Sequence, residues 1–168
     1  MKLTVLLLGG TGTFGRAFTH YTLAHHPDVI VRVFSRDEFK QHQMKNELNR
    51  DDRLTFLLGD IRDPRRLKRA TWNVDMVVHA AALKQVPVLE ANPLEAVRTN
   101  IEGTQNVIDA VIDEDVSRAV YISTDKAVLP RNLYGKTKAV AEHLWIDAAA
   151  YTGGRKSRPL FSVVRYGN

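Results

Sequence analysis

Short apolar runs rich in leucine and β-branched residues alternate along the chain with longer segments that mix apolar and charged positions. The runs Leu3 to Leu8, Val29 to Phe34, Leu54 to Leu58, Met76 to His79, Ala119 to Ser123 and Phe161 to Arg165 predict strands. Each is apolar along its length rather than alternating, the pattern of a strand covered on both faces. The segments Phe14 to His25, Asp37 to Asn49, Pro64 to Ala70, Pro93 to Asp113 and Leu133 to Tyr151 predict helices. Asn92 followed by Pro93 gives the fourth of these a cap residue and a proline at its first helical position. Gly103 falls in the middle of that helix, where glycine costs about 1 kcal/mol relative to alanine, so a close approach to a neighbouring element is expected there. Strand, turn and helix recur in this order along the whole chain. The order implies an α/β fold, a doubly wound parallel sheet of about six strands with helices on both faces. No repeat, low-complexity tract or linker divides the chain, and the basic connector Gly153 to Pro159 precedes the last strand.

Of the 168 residues 44% are hydrophobic, 26% are charged and none is cysteine. These figures exclude a disulfide-stapled miniprotein or a disordered tail and predict one globular domain over residues 1–168. A chain of this length buries roughly 70% of its unfolded surface and needs no metal to fold. Lys and Arg total 24 against 19 for Asp and Glu, giving a net charge of +5 and a pI near 9.6. The excess is scattered. Its densest run, Arg62, Arg65, Arg66, Lys68 and Arg69, is broken by Asp63 and Pro64 and carries no interleaved aromatics. It therefore fits a solvated helix face and not a nucleic-acid stripe. Leu3 to Leu8 is too short for a signal-peptide core or a membrane span. A cytoplasmic protein that engages neither membrane nor nucleic acid is expected.

The first strand runs straight into Gly9-Gly10-Thr11-Gly12-Thr13-Phe14-Gly15, which opens the first helix. A tight glycine turn at that point places a pyrophosphate on backbone N–H groups at a helix N-terminus, where the dipole favours negative charge. Glycines at 9, 12 and 15, or at 10, 12 and 15, each satisfy part of the dinucleotide spacing. Gly9, Thr11, Gly12, Thr13, Phe14 and Gly15 are therefore candidate cofactor contacts in a Rossmann-type fold. The second strand ends in Ser35-Arg36-Asp37. A hydroxyl and an arginine there suit the 2′-phosphate of NADP, whereas a carboxylate suits the ribose of NAD. Ser35 and Arg36 favour NADP, and Asp37 leaves NAD as the less favoured alternative. Lys40 either adds charge to the same phosphate or is a plain surface lysine. Asp60, after the third strand, can accept a hydrogen bond from the adenine amino group with Ile61 against the ring. Ala80, Ala81 and Ala82, after the fourth, either lie beside the cofactor or pack a tight corner.

The fifth strand ends in Ser123-Thr124-Asp125-Lys126, followed by Tyr134-Gly135-Lys136-Thr137-Lys138. Tyr134 and Lys138 are i and i+4 and share a helix face. A nearby ammonium favours the phenolate, so Tyr134 can take the proton of a substrate hydroxyl as hydride leaves its carbon. Asp125-Lys126 taken alone fits a surface turn salt pair better than a site, and the surrounding motifs reverse that preference.

With these motifs the chain resembles the extended short-chain dehydrogenases/reductases. Among them it is most similar to the inverting UDP-N-acetylglucosamine 4,6-dehydratases of bacterial surface-sugar biosynthesis, in the polysaccharide biosynthesis protein family. Gly9 to Gly15, Ser35-Arg36-Asp37-Glu38, Gly59-Asp60-Ile61-Arg62-Asp63, His79 to Lys84, Asn92-Pro93-Leu94-Glu95, Thr99-Asn100, Ser123 to Ala127, Tyr134 to Lys138 and Ser162 to Asn168 carry the resemblance. It implies an NADP-dependent lyase in which Tyr134 and Thr124 act at the sugar 4-hydroxyl and Lys138 holds the nicotinamide ribose. Lys126 is then the base at carbon 5 and Asp125 the acid for the departing 6-hydroxyl, which calls for a depressed lysine pKa and a raised aspartate pKa. The resemblance also implies that Lys84 reaches cofactor or sugar diphosphate, that Asn168 contacts substrate, and that Asn100 braces the catalytic turn. It further implies a UDP-sugar substrate, a homodimer through the long helices Pro93 to Asp113 and Leu133 to Tyr151, a soluble branch marked by Tyr134, and a substrate-binding segment lying beyond this sequence. A related epimerase, or an NADP-holding module without turnover, are the alternatives.

Overall fold

The computed structural model describes residues 2–48, 51–151 and 159–167. Its strands are β1 (Leu3–Leu8), β2 (Val29–Ser35), β3 (Leu54–Leu58), β4 (Met76–His79), β5 (Arg118–Thr124) and β6 (Leu160–Tyr166). They form one parallel sheet in the order β3-β2-β1-β4-β5-β6, the doubly wound Rossmann arrangement. The helices are α1 (Thr13–His25), α2 (Glu38–Glu47), α3 (Pro64–Thr71), α4 (Val86–Ala91), α5 (Pro93–Ala96), α6 (Gly103–Asp113) and α7 (Leu133–Tyr151).

The alternation of side chains along β1 divides the core in two. Leu6 and Leu8 join Leu67 of α3, Val107, Ile108 and Val111 of α6, and Trp145 of α7. Val5 and Leu7 join Phe14 and Phe18 of α1 and Met44 of α2 on the opposite face. Covering on both faces, expected for every strand, holds for β1 but not for β6. Leu160, Val164 and Tyr166 are exposed on one face of it, while Phe161 and Val163 on the other pack against the core that holds Trp145.

Pro93 opens α5 as expected, but the side chain of Asn92 does not cap it, because its Nδ2 donates instead to the Val88 carbonyl at 2.9 Å. Asp37 accepts from Lys40 N at 2.9 Å and Asp63 from Arg66 N at 3.0 Å, each closing the first turn of a helix. The basic run around α3 is a solvated face, with Arg62 paired to Asp60 and Glu95, and Lys68 to Asp113.

The long helix expected from Pro93 to Asp113 is instead three pieces. After α5 the backbone widens into a π-helical turn, Val97–Glu102, before α6 resumes. The reason is tertiary. The turn buries Asn100, whose Oδ1 accepts from Leu83 N at 2.8 Å while Nδ2 donates to Leu83 O at 3.0 Å and to Thr137 Oγ1 at 3.1 Å. Asn100 thus ties the segment after β4 to α7. Gly103 makes the close approach expected of it, since a Cβ there would lie 2.8 Å from Ile61 Cδ1. The connector Gly153 to Pro159 lies outside the described residues except for Pro159, and the predicted end of the second helix, Asn49, also lies outside them.

Candidate functional site

In a sheet of this order the strand sequence reverses between β1 and β4, so the loops leaving their C-terminal ends diverge and open a crevice. A cleft of about 690 Å³ occupies that position. Gly9, Thr11, Gly12, Thr13, Phe14 and Gly15 line it from the β1–α1 turn, and Ser35, Arg36, Asp37 and Lys40 from the end of β2 and the start of α2. Asp60 and Ile61 follow β3, Ala80, Ala81, Ala82 and Lys84 follow β4, and Tyr134 and Lys138 come from α7. The structure therefore gathers all the residues read as cofactor contacts around one cleft. Phe34, Gly59, Thr99, Ile122, Ser123 and Tyr166 line it too and were not anticipated. Of these, Gly59, Thr99, Ser123 and Tyr166 had a signal, since each falls in a segment that carries the family resemblance; the Tyr166 ring, at the end of β6, stacks with Phe14 at a centroid distance of 6.4 Å.

Gly9 has φ +79°, and a Cβ on it would stand 2.7 Å from Ala81 N, so the turn after β1 can press on the segment after β4 only without a side chain. Helix α1 begins at Gly12 with no side-chain cap and no acidic residue in its first turn. Its N-terminal N–H groups are thus matched to an anion in the cleft.

At the end of β2, Ser35 Oγ accepts from Gln41 Nε2 at 2.9 Å, which leaves its own proton to donate elsewhere. Arg36 is exposed, with Nη1 3.6 Å from Asp60 Oδ2. Asp37 caps α2 and pairs with Lys40 Nζ at 3.1 Å, so both groups are already engaged with each other. The backbone and side chain of Lys40 hold the Asp37 carboxyl below its ordinary range. Burial alone would raise Asp60, but the hydrogen bonds from Arg62 outweigh it and keep the carboxylate charged.

Around Tyr134 the geometry is only partly as expected. Lys138 lies one turn further along α7, but its Nζ donates to the Ile122 carbonyl at 2.8 Å and sits 3.9 Å from the centroid of the Tyr121 ring. Tyr134 is raised above its ordinary value, first by burial, with a hydrogen bond to Thr124 and the charge of Lys126 opposing. The expected depression by Lys138 is thus replaced by a rise. Lys138 itself is 3% exposed, and burial pushes it down to about 7 while Glu142 pulls it up.

Thr124 ends β5, and Asp125 and Lys126 lie in a 3₁₀ turn, Asp125–Ala127, adjoining the cleft rather than lining it. Asp125 Oδ1 accepts from Thr124 Oγ1 at 2.9 Å and from Lys126 Nζ at 3.2 Å. The expectation of a raised Asp125 is overturned, because the Thr124 hydrogen bond and then Lys126 hold the exposed carboxyl below its usual value. The turn is fixed against α7 by Gly135, where any Cβ would collide with the Lys126 carbonyl. Lys84 is exposed at the rim, and Asn168 lies outside the described residues.

The model of the polysaccharide biosynthesis protein family matches residues 5–168. The chain is 44% identical over 164 residues to a UDP-N-acetylglucosamine 4,6-dehydratase (inverting) of Campylobacter jejuni, across 98% of this chain and 48% of that one. It is 43% identical to a UDP-glucose 4-epimerase of Rickettsia bellii, again across 98% of this chain and 48% of the relative. Pen from Bacillus thuringiensis superposes with a TM-score of 0.93 at 44% identity, over 99% of this chain and 50% of that one. The dTDP-glucose 4,6-dehydratase DesIV from Streptomyces venezuelae, solved with NAD bound, superposes with a TM-score of 0.84 at 29% identity, over 97% and 55%. The chain spans about half the length of the relatives it matches. No helix among the described residues is long and apolar enough to cross a membrane.

Proposed function

The chain belongs to the polysaccharide biosynthesis protein family, and on that premise we propose that it is the NAD(P)-binding domain of a cytoplasmic nucleotide-sugar 4,6-dehydratase. The proposed substrate is UDP-N-acetylglucosamine, with inversion at carbon 5, and the cofactor is tightly held NADP. The observation that carries the reading is that one cleft is lined both by the glycine turn and by Tyr134 and Lys138. The open N-terminus of α1 and the Gly9 cradle fit a pyrophosphate, and Ser35 and Arg36 fit a 2′-phosphate. Asp60 and Ile61 fit the adenine, Ala80 to Ala82 and Lys84 the middle of the cofactor, and Lys138 the nicotinamide ribose.

The turn from Gly9 to Gly15, Ser35, Arg36 and Lys138 would hold the dinucleotide, which would supply reversible hydride transfer, so the net reaction would be loss of water. Tyr134 takes the proton of the 4-hydroxyl as a phenolate, a form that the positive charge of a bound nicotinamide would favour against the burial that raises it, and Thr124, hydrogen-bonded to Tyr134, orients the 4-oxygen. A 4-keto sugar has an acidic proton on carbon 5, which Lys126 removes. Asp125 protonates the departing 6-hydroxyl. Because its carboxyl is held ionised, the proton it delivers comes from Lys126 across the 3.2 Å contact, a transfer that lets the Lys126 amine then take the proton of carbon 5. A homodimer through α6 and α7 completes the proposal, with Val140 and Ile146 exposed on α7.

A second reading is favoured by the Rickettsia relative. It is a 4-epimerase that uses the same oxidation at carbon 4 and releases no water. The test is incubation with NADP and UDP-N-acetylglucosamine, read by NMR. A 4-keto-6-deoxy product is expected, and a carbon-4 epimer would establish the second reading. Dinucleotide binding with no product would reduce the protein to a cofactor-holding module.

A further inference from the structure

A lysine ammonium withdrawn from water is driven toward neutrality unless its surroundings replace the lost solvation. Lys138 is in that position, and most of its replacement comes from β5. Tyr121 and Ile122 are successive residues of that strand, and they offer Nζ a ring face at 3.9 Å from the centroid and a carbonyl at 2.8 Å. The other charged or titratable groups around it are on three elements. On its own helix, α7, Tyr134 stands one turn before and Glu142 one turn after. On β6, Arg165 Nε donates to Glu142 Oε1 at 3.0 Å and holds that carboxylate ionised. On β4, His79 is fully buried, and its charge and that of Lys138 disfavour each other.

The Tyr121 ring is itself fixed. It is 1% exposed, stacks on Trp145 at 5.5 Å and 29°, and lies 5.2 Å from the His79 ring. Trp145 in turn meets Phe161 of β6 edge-on at 5.4 Å. An aromatic stack drawn from β4, β5, α7 and β6 thus ends in one ring face beneath the ammonium. We propose that Tyr121 is a positioning residue for Lys138, its π face holding the ε-ammonium charged and fixed in the wall of the cleft. The use of that ammonium toward a ribose rests on the reading above, but its placement and charge do not. Burial leaves Lys138 titrating near neutrality, so a moderate attraction decides how much of it is charged. A ring beneath a desolvated cation is worth on the order of one pH unit.

The test is an NMR titration of the Lys138 side-chain ¹³Cε resonance in the lysine-labelled chain, assigned by its disappearance in Lys138→Met. Tyr121→Phe keeps the ring and is expected to hold the midpoint within about 0.3 unit, because the π face is retained. Replacing residue 121 by 3,4,5-trifluorophenylalanine keeps the shape and weakens the π face, and is expected to lower the midpoint by roughly half a unit to one unit. These two variants pack alike, so a folding defect does not separate them. Coincident midpoints for the two would overturn the proposal, as would a folded Tyr121→Leu variant with the wild-type midpoint. No cofactor or sugar enters the measurement, so its failure is distinct from failure of the proposed function.

Discussion

His79 makes the stability of the fold dependent on pH in a window that can be worked out from its contacts. Its ring is fully buried, and Nε2 lies 3.1 Å from Thr104 Oγ1. The Thr104 hydroxyl already gives its proton to the Asn100 carbonyl at 2.7 Å, so it can only accept from His79, and the proton of the neutral imidazole is assigned to Nε2. Nδ1 is then a bare acceptor with no hydrogen-bond partner among the described residues. A second proton would place a charge among the Tyr121 and Trp145 rings, and burial first, then repulsion by Lys138, pushes the imidazole down to about 3. The unfolded chain takes up that proton near pH 6.5, so between about pH 6.5 and 3 unfolding is accompanied by proton uptake, and stability falls as pH falls. At about pH 5 the loss attributable to His79 is about 2 kcal/mol. Lys138, at about 7 in the folded chain, also gains its proton within this interval, but wild type and a His79 variant share that contribution, and the carboxylates held below their usual range, such as Glu142 and Asp60, lose their contribution mainly at lower pH. The assay is urea unfolding at about pH 7.5 and about pH 5 for the wild type and His79→Gln, which keeps a donor for Thr104 and cannot charge. The wild type is expected to lose about 2 kcal/mol more than the variant over that interval. An equal loss in both would refute the neutral, buried His79.

Four further outcomes are expected. Asn100→Ala strands the Leu83 N–H and C=O and loosens the Lys84 side of the cleft, so urea unfolding should show a loss of about 2–4 kcal/mol. Gly9→Ala puts an L side chain at φ +79° and a Cβ against Ala81 N, and dinucleotide affinity measured by calorimetry should fall by about tenfold or more. Arg36→Ala should weaken NADP by roughly tenfold while leaving NAD nearly unchanged, and equal losses for the two would remove Arg36 from the 2′-phosphate. In Lys126→Ala, elimination should cease while the cofactor stays bound, and unaltered turnover would refute its assignment as base.

Strands β1, β3 and β4 were legible to the residue because each is a near-continuous apolar run preceded by a charged residue, Lys2, Arg53 or Asp75, and followed by a small one, Gly9, Gly59 or Ala80, although β3 at the sheet edge is only half-buried. The cleft was legible because its lining comes from residues at strand ends, whose place follows from topology once the glycine turn fixes which strand is first. The π-helical turn was not, since it answers a demand from Leu83 and Thr137, both remote in sequence from Asn100. Helix α4 escaped because six residues containing Pro87 show no helical period. The charge states at Tyr134 and Asp125 ran opposite to expectation for a related reason. Spacing shows which side chains share a face, but not that the Lys138 ammonium is held by Ile122 and Tyr121, or that the Asp125 carboxylate is held by Thr124.

The central claim is that the crevice between the β1 and β4 loops holds a nicotinamide dinucleotide, its pyrophosphate on the turn from Gly9 to Gly15. Calorimetric titration of the chain with NADP, repeated with NAD, tests it most directly. Saturable binding at one site is expected, tighter for NADP than for NAD. A folded chain that binds neither would contradict it.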